Sequence, residues 1–381
     1  MSDSRHFDVV VAGVGAMGSA ALDHLAGRGA RVLGLDPYEP PHGHGSSGGD
    51  TRLIRKAYYE HPDYVPLLER AYANWEALEA DTGQALLHRC GIVYLGHSDA
   101  ELLTGSMRSA GEHDLVLEPL DDAALAERCP GLRRPPDYLS LFEPEAGFLL
   151  CERAVAAQVR RARSRGATLR SGERLTGWRP DGAGVEVSSD RARYRAGALV
   201  LTLGSWSPRL LASLGIELEV TRQLLFWASS PGPGFALGES ACWALQRPDQ
   251  PGLFYGFPEL PAELGARPGL KIAHHCAGES ADPDAPRRAP QPAEFTALRA
   301  ALAPFLPSLE GPPRDAQVCL YTNSGDGHFV VDVHPEHPRV VFGCGFSGHG
   351  FKFASVVGEV LADLALEGAS PLPVGFLRRR P

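Results

Sequence analysis

The amino-acid sequence predicts an α/β protein built of two lobes, and three observations carry this prediction. With 381 residues, of which 44% are hydrophobic and 22% charged, the chain can form a large core divided between two lobes. Near the N-terminus, residues 7–36 read as strand, glycine-rich turn, helix and strand, which is the order of a βαβ unit. Near the C-terminus, residues 340–364 repeat the order strand, glycine-rich loop and helix. Both ends of the chain therefore predict α/β structure.

The N-terminal unit is predicted element by element. The β-branched run F-D-V-V-V-A over 7–12 predicts the first strand, and residues 17–28 predict the helix that follows it. A second strand is predicted over 31–36, and it ends in the acidic residue Asp36. The next stretch, 37–49, is a long loop rich in proline and glycine, and a loop of this length inside a compact domain is usually functional.

Three glycines between the first strand and the helix have the G-x-G-x-x-G spacing of a dinucleotide site. Gly13 makes the turn, Gly15 lets the backbone approach a pyrophosphate, and Gly18 allows the helix to pack closely on the strand. The helix N-terminus then faces the phosphates. Asp36 can accept hydrogen bonds from both ribose hydroxyls, which favours FAD or NAD over a 2′-phosphorylated cofactor. The alternative for Asp36 is a solvated acid at a strand end.

The middle of the chain is predicted from hydrophobic periodicity. Apolar residues that recur every three or four positions over 62–82 predict an amphipathic helix used for packing. A further helix is predicted over 152–165. Short strands are predicted over 91–96 and 147–150, and a β-meander is predicted from three segments: 166–169, 184–188 and 194–204.

The C-terminal unit places glycines where a bound group can be stabilised. The run V-V-F-G-C-G over 340–345 predicts a strand, and a helix with valines and leucines on one face follows the loop. The glycines of this unit stand just ahead of the positive end of that helix, a position suited to stabilise negative charge: Gly343, Gly345, Gly348 and Gly350.

Charge and cysteine content exclude several classes of protein. The net charge is −9 and the longest basic run is the tail 378–380, so there is no electrostatic surface for nucleic acid. No stretch approaches the roughly 20 apolar residues of a membrane span, and the polar start is not a signal peptide, so we expect a cytoplasmic protein. Seven cysteines without C-x-x-C pairs favour reduced thiols over a disulfide framework or a zinc site, and we expect no bound metal.

Six strings along the chain carry a resemblance to a known family. They are G-V-G-A-M-G at 13–18, G-D-T-R-L-I-R at 49–55, Y-G-F-P at 255–258, G-L-K at 269–271, C-L-Y-T at 319–322 and G-F-S-G-H-G-F-K-F at 345–353. With these strings the chain resembles the monomeric sarcosine oxidase and N-methyltryptophan oxidase family of FAD-dependent amine oxidases. The last string, together with that of Cys319, is much more specific than the N-terminal glycines, which many flavoproteins and dehydrogenases share.

The resemblance implies a fold and a cofactor. A discontinuous Rossmann-like FAD-binding domain is expected, with a second α+β substrate domain on a mostly antiparallel sheet that covers the flavin ring. The FAD-binding domain would comprise 1–84, 146–218 and 319–381, and the substrate domain 85–145 and 219–318. In such enzymes the flavin 8α-methyl group is linked to a cysteine sulfur, and the matching residue is Cys319. The alternative for Cys319 is a buried core cysteine.

The resemblance also assigns a substrate site. It places the substrate carboxylate between Arg55 and Lys352, with Tyr255 and His275 lining the same pocket and Tyr321 nearby. A carboxylate that enters a water-poor cavity needs charge-assisted partners, each worth roughly 1.5–3 kcal/mol. The alternative for Arg55 is a structural ion pair, and for His275 a hydrogen-bonded core histidine.

Further residues match positions that contact the flavin or act in the reaction with oxygen. Lys271 matches the lysine that sits over the flavin and promotes reaction with oxygen, and its alternative is a surface lysine. Thr51 and Arg52 match positions that contact the flavin or close the site. Ser46 stands in a stretch where the family often carries histidines. The remaining cofactor-binding residues of the last string are Gly345, Gly348, His349, Gly350 and Lys352.

The lysines agree with this assignment. Only three of the 37 basic residues are lysines, namely Lys56, Lys271 and Lys352, and the others are arginines. Two of the three fall on positions where the resemblance requires an ammonium group, which is not interchangeable with a guanidinium. This coincidence is independent of the glycine motifs.

We therefore expect an FAD-dependent oxidase of a secondary or cyclic amino acid that oxidises a C–N bond to an imine and reduces O2 to H2O2. Sarcosine, pipecolate, N-methyl aromatic amino acids and cyclic imines all stay open as substrates. We expect a monomer. Two other functions stay open: a nicotinamide-dependent dehydrogenase, which would share only the N-terminal glycines, and a non-catalytic flavin-binding subunit.

Overall fold

The structure of the protein, a computed structural model, describes residues 6–229, 232–276 and 278–379. The helices in these residues are α1 Ala16–Gly27, α2 Val65–Thr82, α3 Glu101–Glu112, α4 Asp122–Arg128, α5 Cys151–Ser164, α6 Ser207–Leu211, α7 Pro292–Leu302 and α8 Ala354–Glu367.

The strands of the same residues form two large sheets and one small sheet. Their bounds are β1 His6–Ala12, β2 Val32–Asp36, β3 Thr51–Ile54, β4 Leu87–His88, β5 Ile92–Gly96, β6 Glu118–Pro119, β7 Leu139–Glu143, β8 Gly147–Leu150, β9 Thr168–Ser171, β10 Leu175–Asp181, β11 Gly184–Ser189, β12 Arg193–Leu201, β13 Leu218–Ala228, β14 Cys242–Leu245, β15 Leu253–Gly256, β16 Leu270–His275, β17 Glu279–Ser280, β18 Pro313–Ser324, β19 Val330–Val333 and β20 Val340–Cys344.

The first large sheet is built around the N-terminal βαβ unit. Strand β1 lies between β2 and β12 and is parallel to both, and the second half of β12 pairs in parallel with β20. The carboxyl ends of these parallel strands therefore meet at one edge, which is where ligands bind in such sheets. Helices α1 and α8 follow β1 and β20, and both begin at this edge. The predicted βαβ unit and the predicted strand–loop–helix unit are confirmed.

The second large sheet is mostly antiparallel, as predicted. Its longest pairing joins β13 to β18 over residues 218–228 and 313–324. Strands β16, β15 and β14 follow β13 in antiparallel order, and only the β14–β5 pair is parallel. Because side chains alternate along a strand, Lys271 and His275 of β16 lie on one face of this sheet.

The third sheet, of strands β3, β8 and β4, is small, but it carries part of the site. Strand β3 pairs with β8, so that Thr51 lies opposite Leu150 and Arg52 opposite Leu149. The long loop before β3 and strand β3 together bring residues 46–52 to the edge of the first sheet, where residues of this stretch line a cavity.

One predicted supersecondary unit is wrong. The expected β-meander joined 166–169 to 184–188, but β9 pairs in parallel with β2 at the far edge of the first sheet. The meander is formed instead by β10, β11 and β12, and β10 was not predicted. The W-R-P-D stretch of β10 is largely exposed and lacks the apolar alternation that predicts a strand.

The division into domains stays a prediction. Strand β18 runs without a break through residue 318, where the sequence placed a boundary, and it pairs with β13 along its length. Residues 313–324 therefore belong to one sheet. Among the residues described, no helix is long and apolar enough to cross a membrane.

Candidate active site

A cavity of about 410 Å³ lies at the carboxyl edge of the first sheet. Both glycine motifs line it, together with the long loop after β2 and the end of β12. The predicted residues found in its lining are Gly13, Gly15, Asp36, Ser46, Arg52, Tyr321, Gly343, Gly345, Gly348 and Gly350. Its size is that of a cofactor or ligand site.

Gly13 shows why this turn requires glycine. Its φ is +85°, and a Cβ at this position would lie 2.4 Å from the carbonyl oxygen of Thr202. A Cβ on Gly18 would lie 1.8 Å from the carbonyl oxygen of Gly13, so the first turn of α1 packs directly on the strand end. Gly15 lines the cavity itself. The backbone N–H groups of the helix start are thereby presented to whatever the cavity holds.

Asp36 is buried at the end of β2, and it lines the cavity. One carboxylate oxygen accepts a hydrogen bond from the backbone N–H of Val14 at 2.7 Å, and the other accepts from the N–H of Tyr38 at 2.9 Å. His42 Nε2 lies 3.3 Å from the second oxygen. A carboxylate has further lone pairs, so these contacts orient Asp36 and leave capacity for hydroxyl groups.

The residues present fit FAD. The cavity joins a glycine turn at a helix N-terminus, suited to a pyrophosphate, to a carboxylate that can accept from ribose hydroxyls. On the other side, Gly348 has a φ of +77°, and a Cβ there would lie 2.2 Å from the ring of Tyr321. The C-terminal loop therefore passes close to β18, and only glycine permits that approach.

Arg52 connects this cavity to a second, smaller one, because it lines both. Its guanidinium donates hydrogen bonds to the carbonyl oxygens of Thr51 at 2.8 Å, Ser46 at 2.9 Å and Gly48 at 2.7 Å. The Ser46 hydroxyl donates to the carbonyl oxygen of Leu320 at 2.5 Å, which fixes the loop against β18.

The smaller cavity, of about 60 Å³, collects the residues predicted for the substrate. It shares Arg52, Tyr321, Gly348 and Phe351 with the larger cavity. The other predicted residues in its lining are Arg55, Tyr255, His275, His349 and Lys352. His349, predicted only as cofactor-binding, and Lys352, predicted for both roles, line the smaller cavity and not the larger one.

Arg55 and Lys352 supply two positive charges, and Glu60 supplies one negative charge. Arg55 Nη2 donates to both oxygens of Glu60 at 2.7 Å, and both residues line the cavity. Although burial opposes it, the Arg55 guanidinium lowers the pKa of Glu60 to about 2. Burial lowers the pKa of Lys352 to about 7, and Arg55 adds to the effect. With Lys352 protonated, Arg55, Lys352 and Glu60 together carry a net charge of +1, which a single carboxylate would balance.

The histidines of this cavity are neutral at pH 7. Burial lowers the pKa of His275 to about 4 and that of His349 to about 3. His275 Nδ1 lies 3.1 Å from the Tyr321 hydroxyl, and the direction of that hydrogen bond follows the imidazole tautomer. Burial raises the pKa of Tyr255 to about 12. His275, His349 and Tyr255 therefore add no charge to this cavity at pH 7.

Sequence reasoning missed two residues that organise the cations. The Tyr58 ring lies 4.3 Å from the Arg55 guanidinium carbon and 5.1 Å from Lys352 Nζ, so it contacts both cations. The Tyr58 hydroxyl hydrogen-bonds to His349 Nδ1. Glu60 is the second residue, and the only signal for it was an acid five positions after Arg55 in the string R-K-A-Y-Y-E.

Lys271 is buried and lines neither cavity directly. Its Nζ donates to the carbonyl oxygens of Gly49 at 2.5 Å and Thr51 at 2.6 Å, and to the Thr51 hydroxyl at 3.1 Å. Burial lowers its pKa to about 7, and the nearby Arg52 guanidinium lowers it further. The ammonium is thus fixed at the start of β3, beside Arg52, which lines both cavities.

Cys319 is buried on β18 and is also absent from both linings. It lies opposite Gln223 of β13, two residues before Tyr321. Burial raises the pKa of its thiol, and the positive charge of Arg52 acts in the opposite direction. All seven cysteines are free.

Comparison with known proteins agrees with this architecture. The model of the family described as FAD dependent oxidoreductase matches residues 8–364. Monomeric sarcosine oxidase of Streptomyces avermitilis is 40% identical over 379 residues, which cover 99% of this chain and 98% of that protein. N-methyl-L-tryptophan oxidase of Yersinia pestis is 34% identical over 370 residues, which cover 97% of each chain.

A solved structure gives the same result at the level of the fold. NikD, described as an unusual amino acid oxidase essential for nikkomycin biosynthesis, aligns with a TM-score of 0.87 at 27% identity and covers 99% of this chain and 98% of its own. The chain therefore belongs to the FAD-dependent oxidoreductase family and, within it, to the group of monomeric sarcosine oxidase and N-methyltryptophan oxidase, flavin-dependent amine oxidases with O2 as acceptor.

Proposed function

We propose that this chain oxidises a secondary or cyclic amino acid to an imine and produces H2O2. The observation that carries the proposal is the smaller cavity, which Arg55 and Lys352 line together with neutral tyrosine and histidine side chains, and which shares part of its wall with the larger cavity. When bound, FAD supplies the electron acceptor, which takes a hydride equivalent from the carbon next to nitrogen and passes two electrons to O2.

The substrate carboxylate would bind between Arg55 and Lys352. Glu60 already accepts two hydrogen bonds from Arg55 Nη2, but the remaining N–H groups of Arg55 and the ammonium of Lys352 leave one positive charge unbalanced. One substrate carboxylate neutralises that charge. The ion pair of Arg55 with Glu60 lies within the cavity and is compatible with binding of a carboxylate there.

The other residues of the lining favour a neutral amine with an apolar group. Leu53, Leu102, Ala244 and Leu253 contribute the apolar wall, and His275 carries no charge at pH 7. An unprotonated ring nitrogen of His275 can accept a hydrogen bond from the substrate N–H. A secondary or cyclic amine with a short apolar group satisfies both the polar and the apolar parts of this wall.

Lys271 would assist the reaction with oxygen. Its ammonium is held at the start of β3 by three oxygen acceptors. A fixed positive charge stabilises the superoxide anion that forms in the first electron transfer to O2. Thr51 supplies two of the three acceptors and would thus position this ammonium.

Cys319 would hold the flavin through a thioether to the 8α-methyl group. One observation supports this proposal: Cys319 is on the strand that supplies Leu320, Tyr321 and Thr322 to the larger cavity. We also propose that the enzyme is a cytoplasmic monomer. The names of the monomeric sarcosine oxidases support the monomeric state.

A peroxide-coupled screen of secondary and cyclic amino acids tests this function. Each acid is paired with its methyl ester, which keeps the amine and removes the carboxylate charge. We expect peroxide from at least one acid. For the ester of that acid, kcat/KM should fall by roughly 10- to 100-fold, because one or two charge-assisted hydrogen bonds are lost. Flavin-loaded protein that gives no peroxide with any amino acid would be a non-catalytic flavin-binding protein instead.

A further inference from the structure

Two thiols lie in contact outside the two cavities of the active site. The Sγ atoms of Cys90 and Cys242 are 3.6 Å apart. The backbone N–H of Cys242 donates to the carbonyl oxygen of Gly91 at 3.1 Å, so the strand pairing itself holds the two cysteines side by side. A disulfide requires this sulfur–sulfur distance to close to about 2.05 Å.

The two thiols differ in access and in acidity. Cys90 is half-buried and lines an open groove of about 560 Å³ that Arg89 and Arg128 also line, whereas Cys242 is buried. A hydrogen bond from Cys242 lowers the pKa of the Cys90 thiol, and burial raises the pKa of Cys242 well above its ordinary value. Such an accessible, more acidic thiol beside a buried one is the arrangement of an attacking and a resolving cysteine.

We propose that Cys90 and Cys242 form a peroxide-reactive dithiol site. The Cys90 sulfur attacks one oxygen of H2O2, the O–O bond breaks, and the products are a Cys90 sulfenic acid and one water. The Cys242 sulfur then attacks the sulfenic sulfur, the S–O bond breaks, and a second water leaves as the disulfide forms. Two thiols are oxidised by two electrons in total, and one H2O2 is reduced to two waters.

The oxidant is the product of the proposed function. The inference rests on that function for the source of H2O2 inside the cell, whereas the reaction at the two thiols requires only peroxide. Cys242 opens strand β14, and Ala244 of the same strand lines the substrate cavity. The disulfide would therefore form two residues from the cavity wall.

A third thiol provides a test of the pairing. Cys129 is buried, and its sulfur lies 3.6 Å from both the Ser240 hydroxyl and the carbonyl oxygen of Ala241. The Cys129 sulfur thus contacts these two oxygens, whereas the Cys242 sulfur contacts the Cys90 sulfur. The expected disulfide joins Cys90 to Cys242 and leaves Cys129 reduced.

The experiment treats the flavin-loaded enzyme with H2O2 in the absence of amine substrate. Free thiols are then counted after denaturation, and cross-linked peptides are mapped without reduction. We expect a loss of two thiols per chain and one cross-linked peptide pair that contains Cys90 and Cys242, both reversed by dithiothreitol. Cys90→Ser and Cys242→Ser should each abolish the cross-link, and the half-buried control Cys276→Ser should keep it.

Three results would overturn the proposal: oxidation of Cys90 to sulfinic acid without a cross-link, a cross-link to Cys129, or no loss of thiols. The peptide map of the unaltered enzyme decides the question even where a variant fails to fold. A second arm supplies an amine substrate and O2, with and without catalase. If the disulfide forms with added H2O2 but not with amine substrate and O2, the result counts against the proposed function as the source of peroxide. The arm with added H2O2 still decides whether the two thiols react as proposed.

Discussion

At the scale of single residues, the three lysines separate into two kinds. Lys271 and Lys352 are buried, and burial lowers both pKa values to about 7. Lys56 instead forms an ion pair with the exposed carboxylate of Glu145 and lies 5.0 Å from the Tyr72 ring. The sequence singled out the first two by resemblance, and their burial agrees with a site role. It offered no account of Lys56, because its partner is 89 residues away in the chain.

Replacing Lys271 separates the two half-reactions. Lys271→Met keeps the length of the side chain and removes the ammonium, so reoxidation of reduced flavin by O2 should slow by roughly 10²-fold, the effect of losing one preorganised charge. Anaerobic reduction by substrate should change far less. Stopped-flow measurement of each half-reaction checks this, and equal slowing of both would contradict the role given to Lys271.

Lys352 predicts a pH dependence of substrate binding. Its ammonium is present below a pKa of about 7 and is lost as the pH rises through that value. KM should therefore increase with pH above about 7, by up to about tenfold per pH unit, until Arg55 alone binds the substrate carboxylate. Lys352→Arg is the matched control, because a guanidinium stays charged and the variant therefore lacks the titration of residue 352. Identical pH profiles for the two proteins would disprove this dependence.

At the scale of elements, the sequence predicted what is local. Strand β1, helix α1 and strand β2 follow from neighbouring residues, and the predicted ends differ from the observed ends by one residue at most. The order of the second sheet could not be derived in this way. Strand β13 pairs with β18 about 90 residues later, and such a pairing leaves no periodic signal in either segment. The unpredicted strand β10 lacks such a signal as well.

The turn between β1 and α1 gives a stability prediction. In Gly13→Ala, the new Cβ would lie 2.4 Å from the Thr202 carbonyl oxygen at a φ of +85°, so the turn must shift and bound FAD should be lost. Gly111→Ala is the control, because this helical glycine has no atom within 4 Å of a new Cβ and alanine should stabilise α3 by up to about 1 kcal/mol. Thermal unfolding and the FAD content of the purified proteins measure both effects. Full FAD content in Gly13→Ala would contradict the proposed pyrophosphate turn.

Strand β18 gives a second prediction at this scale. If Cys319 carries the flavin, fluorescence should travel with the polypeptide on an acid-treated denaturing gel and should disappear in Cys319→Ala. Cys344→Ala is a suitable control, because Cys344 is also buried and lines the larger cavity. Fluorescence that persists in Cys319→Ala, or that is absent from the unaltered protein, would show that the thioether is assigned to the wrong residue or does not form.

At the scale of the whole molecule, the site exists only because three sheets meet. The first sheet supplies the glycine turns, the small sheet supplies Thr51 and Arg52, and the second sheet supplies Tyr255, His275 and Tyr321. The sequence indicated most of these residues through the resemblance. It could not show that Glu60 enters the same cavity or that the Tyr58 ring contacts both cations, because each depends on side-chain packing between distant segments.

The central claim is that this assembly binds an amino acid by its carboxylate and oxidises its C–N bond. The most direct test is anaerobic mixing of the flavin-loaded enzyme with the best acid from the peroxide screen and, separately, with its methyl ester, followed by addition of O2. The account predicts that the acid reduces the flavin about tenfold faster or more at equal concentration, and that O2 restores the oxidised flavin with one H2O2 per flavin. Equal reduction by acid and ester, or a bound flavin that no amino acid reduces, would contradict it.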